Sequence, residues 1–203
     1  MTRANRSKWP LTPSQQGLDE AIRARLSTLH GKHRPFLLTG EVGVGKTYLA
    51  QRLASQPDIY YNVSRDYLSL LLTDCRLADL TPEVVVRFVK ELVEKGESAL
   101  AIADGFEPLT SLWATEKPQI LANFFIALSR AVIEMPLLIV VRTSDDQLPY
   151  YQIQKNEWWP AETHFRLELT QQDKEVVANT WGVDPMRGHV SANLYELLAT
   201  KFA

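Results

Sequence analysis

The residues best suited to chemistry crowd into one run, Gly40-Glu41-Val42-Gly43-Val44-Gly45-Lys46-Thr47: a glycine, four residues, then glycine-lysine-threonine. A polyphosphate is held by backbone N–H groups converging on its oxygens. Gly40, Gly43 and Gly45 can take the left-handed or crowded conformations that such convergence demands. A helix beginning near Lys46 would aim its positive end at the same anion. Lys46 is then expected to reach the β and γ phosphates. The Thr47 hydroxyl is expected to bind Mg²⁺, a hard ion that takes oxygen donors and keeps its waters. Residues Gly40 to Thr47, with Tyr48 just beyond, form the candidate nucleotide-binding segment.

Phosphoryl transfer to water also needs a second metal holder, a group that orients the water, and positive charge on the γ phosphate. Asp104 ends the apolar run Ala99-Leu100-Ala101-Ile102-Ala103 and is the expected metal holder, acting through bound waters. A buried carboxylate there would be costly without such a partner. Gly105 stands next, where many such enzymes carry Glu, so Glu107 is the nearest substitute for orienting water. Thr143, Ser144 or Asp145, following the run Leu137 to Val141, could read the γ phosphate if that strand neighbours the first. Arg130, Arg142 and Arg166 are candidates for charging a neighbouring subunit's site, with a surface or sheet-edge role as the plainer reading. The four histidines show no metal-ligand spacing, and one cysteine, Cys75, excludes a thiolate cluster.

The elements that must position these groups follow from periodicity. Thr12-Pro13-Ser14-Gln15 has the form of a capping box with proline at the first helical position. Leu18, Ile22, Leu26 and Leu29 give that helix an apolar face until Gly31, and it is expected beside the nucleotide site. Pro35 to Thr39 suits a buried strand, Tyr48 to Ala54 a helix, and Ile59 to Val63 a second strand, with Ser64 capping the next helix. Thr81-Pro82 opens a helix running to Gly96, and a longer one spans Gln119 to Glu134. Leu137 to Val141 is the most hydrophobic strand and therefore expected at the centre. Thr163 to Leu169 is the last strand, Thr170 opens a helix ended by Gly182, and Leu194, Leu197 and Leu198 mark a terminal one. Alternating strands and helices with apolar strands imply a mostly parallel sheet covered on both faces, with ligands beyond the strands' carboxyl ends.

Composition narrows the class. At 203 residues the chain holds one substantial core, and a net charge of −2 gives no global field toward nucleic acid or membrane. The leading segment is basic, with Arg3, Arg6, Lys8, Arg23, Arg25, Lys32 and Arg34 against Asp19 and Glu20. It could touch DNA phosphates, although a solvated face is the blander reading. No apolar run spans a bilayer and no secretory signal is evident, so with a single cysteine the cytoplasm is expected. Tyr150, Tyr151, Trp158 and Trp159 concentrate in an irregular stretch, either as a protein-binding patch or as a cover for the sheet edge.

With these residues the chain resembles the AAA+ ATPases, and among them the DnaA-like initiator branch. The resemblance rests on Gly40 to Thr47 (Walker A), Ala101-Ile102-Ala103-Asp104-Gly105-Phe106-Glu107 (Walker B), Thr143-Ser144-Asp145 (sensor 1) and Leu169 to Asp173 entering a lid. It implies a P-loop NTPase of three α/β/α layers, with a five-stranded mostly parallel sheet, a short C-terminal helical lid, and ATP between them. The expected division is a basic segment and helix over 1–34, the ATPase core over 35–169, and the lid over 170–203. Tyr195 stands where the family's sensor 2 arginine is expected, and the family's Ser-Arg arginine finger is missing before the last strand. Both departures weaken the case for a self-sufficient ring-forming ATPase. In size and order the chain also looks like the small P-loop protein of type 3 bacteriophage-exclusion (BREX) systems, through its Walker B, Leu128-Ser129-Arg130 and the hydrophobic strand that follows. That match implies a role in defence against phage DNA.

Three functions fit these residues. The first is an ATP- and Mg²⁺-dependent switch, or weak partner-stimulated ATPase, in a DNA-processing or defence complex, possible as a homo-oligomer and passing between ATP and ADP states. A nucleotide-binding adaptor with little hydrolysis is the second. A small-molecule kinase is third, disfavoured because no arginine-rich lid or acceptor pocket is evident.

Overall fold

The computed structural model describes residues 10–54, 60–67, 81–94, 100–107, 118–142 and 161–181. Helix α1 spans Pro13–Ser27 and opens on the expected capping box: Thr12 accepts from the Gln15 backbone N–H, and the Gln15 side chain accepts from Thr12 N–H. Strand β1 (Phe36–Thr39) leads through the glycine loop into α2 (Lys46–Leu53). Strand β2 (Tyr60–Asn62) runs into a π-helical turn, Val63–Tyr67. Helix α3 (Pro82–Glu94) precedes β3 (Ala101–Asp104), and α4 (Pro118–Arg130) precedes β4 (Leu137–Val140). A 3₁₀ turn at Ala161–Thr163 enters β5 (His164–Arg166), followed by α5 (Gln171–Trp181).

All five strands are parallel, in the order β2-β3-β4-β1-β5. β4 is central, as its hydrophobicity led one to expect, and it neighbours β1. The same alternation explains why these strands read as unbroken apolar runs. Phe36 and Leu38 of β1, Ile102 of β3, and Leu138 and Val140 of β4 enter one core with Ile22 of α1 and Leu49 and Leu53 of α2. Leu37, Ala101, Ala103, Leu137 and Ile139 enter the other, with Val86 and Val89 of α3 and Phe124, Phe125 and Leu128 of α4. With helices on both faces, both side-chain sets of each inner strand must be apolar.

Two boundaries differ from expectation for local reasons. The helix expected to reach Glu134 stops at Arg130, because Ile133 exchanges backbone hydrogen bonds with His33 in an antiparallel bridge. Ser64, expected as a helix cap, lies in the π-helical turn and donates to the Gly105 carbonyl instead. Cys75, Ser144, Trp158, Trp159, Tyr195 and the terminal helix lie outside the described residues. Among the described residues, no helix is long and apolar enough to cross a membrane.

Candidate functional site

All four β1 residues are buried, so the strand delivers Gly40 rigidly to the carboxyl edge of the sheet. There the loop must pass under the chain leaving β5. A Cβ on Gly40, whose φ is 152°, would stand 2.4 Å from the Leu167 carbonyl oxygen. Only glycine permits that approach. Helix α2 then starts at Lys46 behind Gly45, with no side chain capping its N-terminus. From the other side, Gln15 Nε2 donates to the carbonyls of Val44 (3.4 Å) and Gly45 (3.5 Å), bringing α1 beside the loop as expected.

Lys46 is 7% exposed, and its Nζ donates to the carbonyls of Gly40 and Glu41, both at 2.7 Å. Burial pulls its pKa down to about 8, against the opposing pull of Glu107, Asp104 and Glu41. The loop and α2 thus hold a buried ammonium against the carbonyls at the head of the loop.

Asp104, at the end of β3, is 2% exposed. The Gly105 backbone N–H donates to its Oδ1 (2.7 Å) and the Tyr60 hydroxyl to its Oδ2 (2.5 Å). Burial, helped by the charge of Asp104, holds the Tyr60 phenol well above its usual range. Gly105 itself has φ of 80°, and a Cβ there would lie 2.9 Å from the Asn62 carboxamide. Asn62 pairs in register with Asp104 and donates no room to a side chain at 105; its Oδ1 accepts from Arg65 N–H (2.9 Å). Glu107 is half-buried, and burial raises its carboxyl pKa, with Asp104 adding to the rise.

Of these groups, Lys46, Asn62, Asp104, Gly105 and Glu107 line one cavity of about 290 Å³. The loop and α2 contribute Val42, Gly43, Gly45, Lys46 and Thr47; β2 and β3 with their ends contribute Asn62, Asp104, Gly105 and Glu107; Arg142 closes the lining after β4. The cavity thus brings together Lys46, Thr47, Asp104 and Glu107. Among the other loop residues, Glu41 is exposed and Val44 enters the core, while Gly40 offers its carbonyl to Lys46. Tyr48 is half-buried on α2 and absent from the lining, and burial raises its phenol pKa. Arg142 faces its own chain's cavity rather than a neighbour's, whereas Arg130 is exposed and Arg166 pairs with Glu168 at 2.6 Å. Arg142 lies at the cavity as expected for a residue following a strand that neighbours β1, whereas the places of Tyr60 and Asn62 were missed by sequence reasoning. Only a known strand register could have revealed those two.

The donor set fits magnesium. One hydroxyl and one buried carboxylate flank a space wide enough for phosphate oxygens and waters, which is how this ion is usually held. Among the described residues there is no cluster of three or more histidine, cysteine or acidic side chains that could cage a metal without such help.

No protein-family model and no curated protein matches the chain in sequence. Solved structures match it in fold. Replication initiator DnaA bound to AMPPCP and single-stranded DNA superposes with a TM-score of 0.54 at 15% identity, covering 97% of this chain and 63% of that one. Domain III of the Thermotoga maritima replication initiation protein DnaA gives 0.50 at 16% identity, covering 97% and 85% respectively. A DNA replication initiation factor gives 0.50 at 12% identity, covering 98% and 63%. The chain therefore spans less than two thirds of the first of these structures, and what it shares with them is architecture. Its five parallel strands, with helices on both faces and the glycine loop at their carboxyl ends, form an α/β fold similar to that of these DnaA structures.

Proposed function

We propose that this protein binds ATP with Mg²⁺ at the glycine loop and uses the bound nucleotide as a switch in a DNA-processing complex. The observation that carries this is the convergence of Lys46, Thr47, Asp104 and Glu107 on one cavity at the carboxyl edge of the sheet. Lys46 would draw the β and γ phosphates into the loop, and Thr47 and Asp104 would hold the ion. Magnesium, when bound, neutralises the charge that develops on the transferring phosphoryl group. Glu107 would orient the attacking water. Gly105 supplies no carboxylate where many such enzymes carry Glu, so hydrolysis without a partner should be slow.

The DNA reading draws support from the fold and from the DnaA structure described with single-stranded DNA. The basic residues of segment 1–34 are the candidate contact, Trp158 and Trp159 a candidate protein patch, and self-association and a cytoplasmic setting belong to the same reading. The resemblance to type 3 BREX systems would make the process phage defence. A specific observation favours a second reading, a nucleotide-binding adaptor: Asn62 fills the space in which a catalytic side chain at 105 would stand.

Phosphate release measured alone, with single- and double-stranded DNA, and with co-purifying proteins separates the two. Release that rises on adding DNA or a partner, and is lost in Glu107→Gln, supports the switch. Binding without turnover under every condition supports the adaptor.

A further inference from the structure

An edge strand, β2, sends a side chain to the carboxylate of Asp104, which lines the cavity. Tyr60 lies opposite Ile102 in the parallel register, yet its hydroxyl reaches Asp104, two residues further along β3. Only a long side chain spans that diagonal. Its ring is half-buried against the core that holds Leu49 and Ile102, and its hydroxyl ends 2.5 Å from Asp104 Oδ2. Gly105 N–H holds the other oxygen at 2.7 Å. One donor on each oxygen fixes the plane of the carboxylate and leaves about two of its four lone-pair positions for metal-bound water.

We infer that Tyr60 is a positioning residue for the magnesium-linked carboxylate, setting how strongly magnesium and nucleotide bind together. The inference rests on the nucleotide site proposed above. A ring that only covered the core would do so equally well as phenylalanine, so the hydroxyl is what must be tested. Partners of this kind, one bond behind the group that meets the metal's shell, typically change metal affinity about 10–100-fold when removed.

The test is ADP and ATP affinity by calorimetry with excess Mg²⁺ and with chelator, for wild type, Tyr60→Phe, Asp104→Asn and the double variant, with melting temperatures alongside. Tyr60→Phe should leave the chelator affinity unchanged and reduce the strengthening by Mg²⁺ about tenfold. In the Asp104→Asn background it should add nothing. A magnesium effect equal to that of wild type overturns the inference. So does a loss of the same size with and without the ion, which would mean that Tyr60 only supports the strand. Both of those results leave wild-type nucleotide binding intact, whereas a wild type that binds no nucleotide overturns the proposed function and this inference together.

Discussion

Lys46 is a buried cation in the site. Its pKa near 8 means that the free protein loses the ammonium as pH rises through that value. A bound polyphosphate favours the charged form and so raises the pKa. Affinity for ATP should therefore hold between pH 6.5 and 7.5, as a rough window, and fall by up to about tenfold per unit above 8, with proton uptake on binding. Titrations in buffers of different ionisation heat would detect the uptake, and a flat affinity to pH 9.5 would refute it. Gly105 is the second sensitive residue. Its φ of 80° costs a side-chain-bearing residue about 1–2 kcal/mol, and the contact with Asn62 adds to that. Gly105→Ala should lower stability in urea by at least about that amount, and an Asn62→Ala background should remove the contact's share. An alanine there without effect would mean that the turn relaxes freely.

The starts of α1, α3 and α5 were legible because their signals are local, although Ser64 proved no cap. Thr12 to Gln15 closes its capping box within four residues, and Thr170 and Asp173 repeat the device at α5: Thr170 N–H donates to Asp173 Oδ2 (2.6 Å), and Asp173 N–H donates to Thr170 Oγ1 (3.2 Å). What no local pattern could show is that Ser14, from the first box, donates twice to Asp173 in the second, at 2.8 and 2.6 Å, across 159 positions. That bond ties α1 to α5 around the loop. Burial pushes the Asp173 carboxyl up, but the donors from Ser14 and Thr170 outweigh it and hold the pKa down at about 2. Because the folded value lies below the unfolded one, the contribution is complete above pH 3.8 and is lost as pH falls from there toward 2. Asp173→Ala should cost about 1–3 kcal/mol at neutral pH and flatten stability over that acid window, as followed by circular dichroism. The boundaries of β1, β3 and β4 were legible to within a residue or two, since those strands are apolar on both faces, whereas β5 ends at Arg166, three residues short of the expected Leu169. The end of α4 was not legible, because it depends on His33, a hundred residues earlier in the chain.

At the scale of the molecule, two cores share one sheet, and the site sits where four strands, β1 to β4, end together. Leu138, fully buried at the middle of the central strand, should cost about 2–5 kcal/mol when cut to alanine. That loss would appear in denaturant unfolding and should leave nucleotide affinity near wild type as long as the protein is folded. The loop and Asp104 were legible as chemistry from their own residues. That β3 and β4 flank each other, with β4 against β1, is a property of strand order, and it alone brings Glu107 and Arg142 to the same cavity. The central claim is that this cavity takes the triphosphate of ATP together with magnesium. Calorimetric titration of the purified protein with MgATP tests it most directly: the wild type should bind one equivalent, and Lys46→Ala should weaken binding about tenfold or more. Wild-type protein that takes up no purine nucleotide in the presence of magnesium would contradict it.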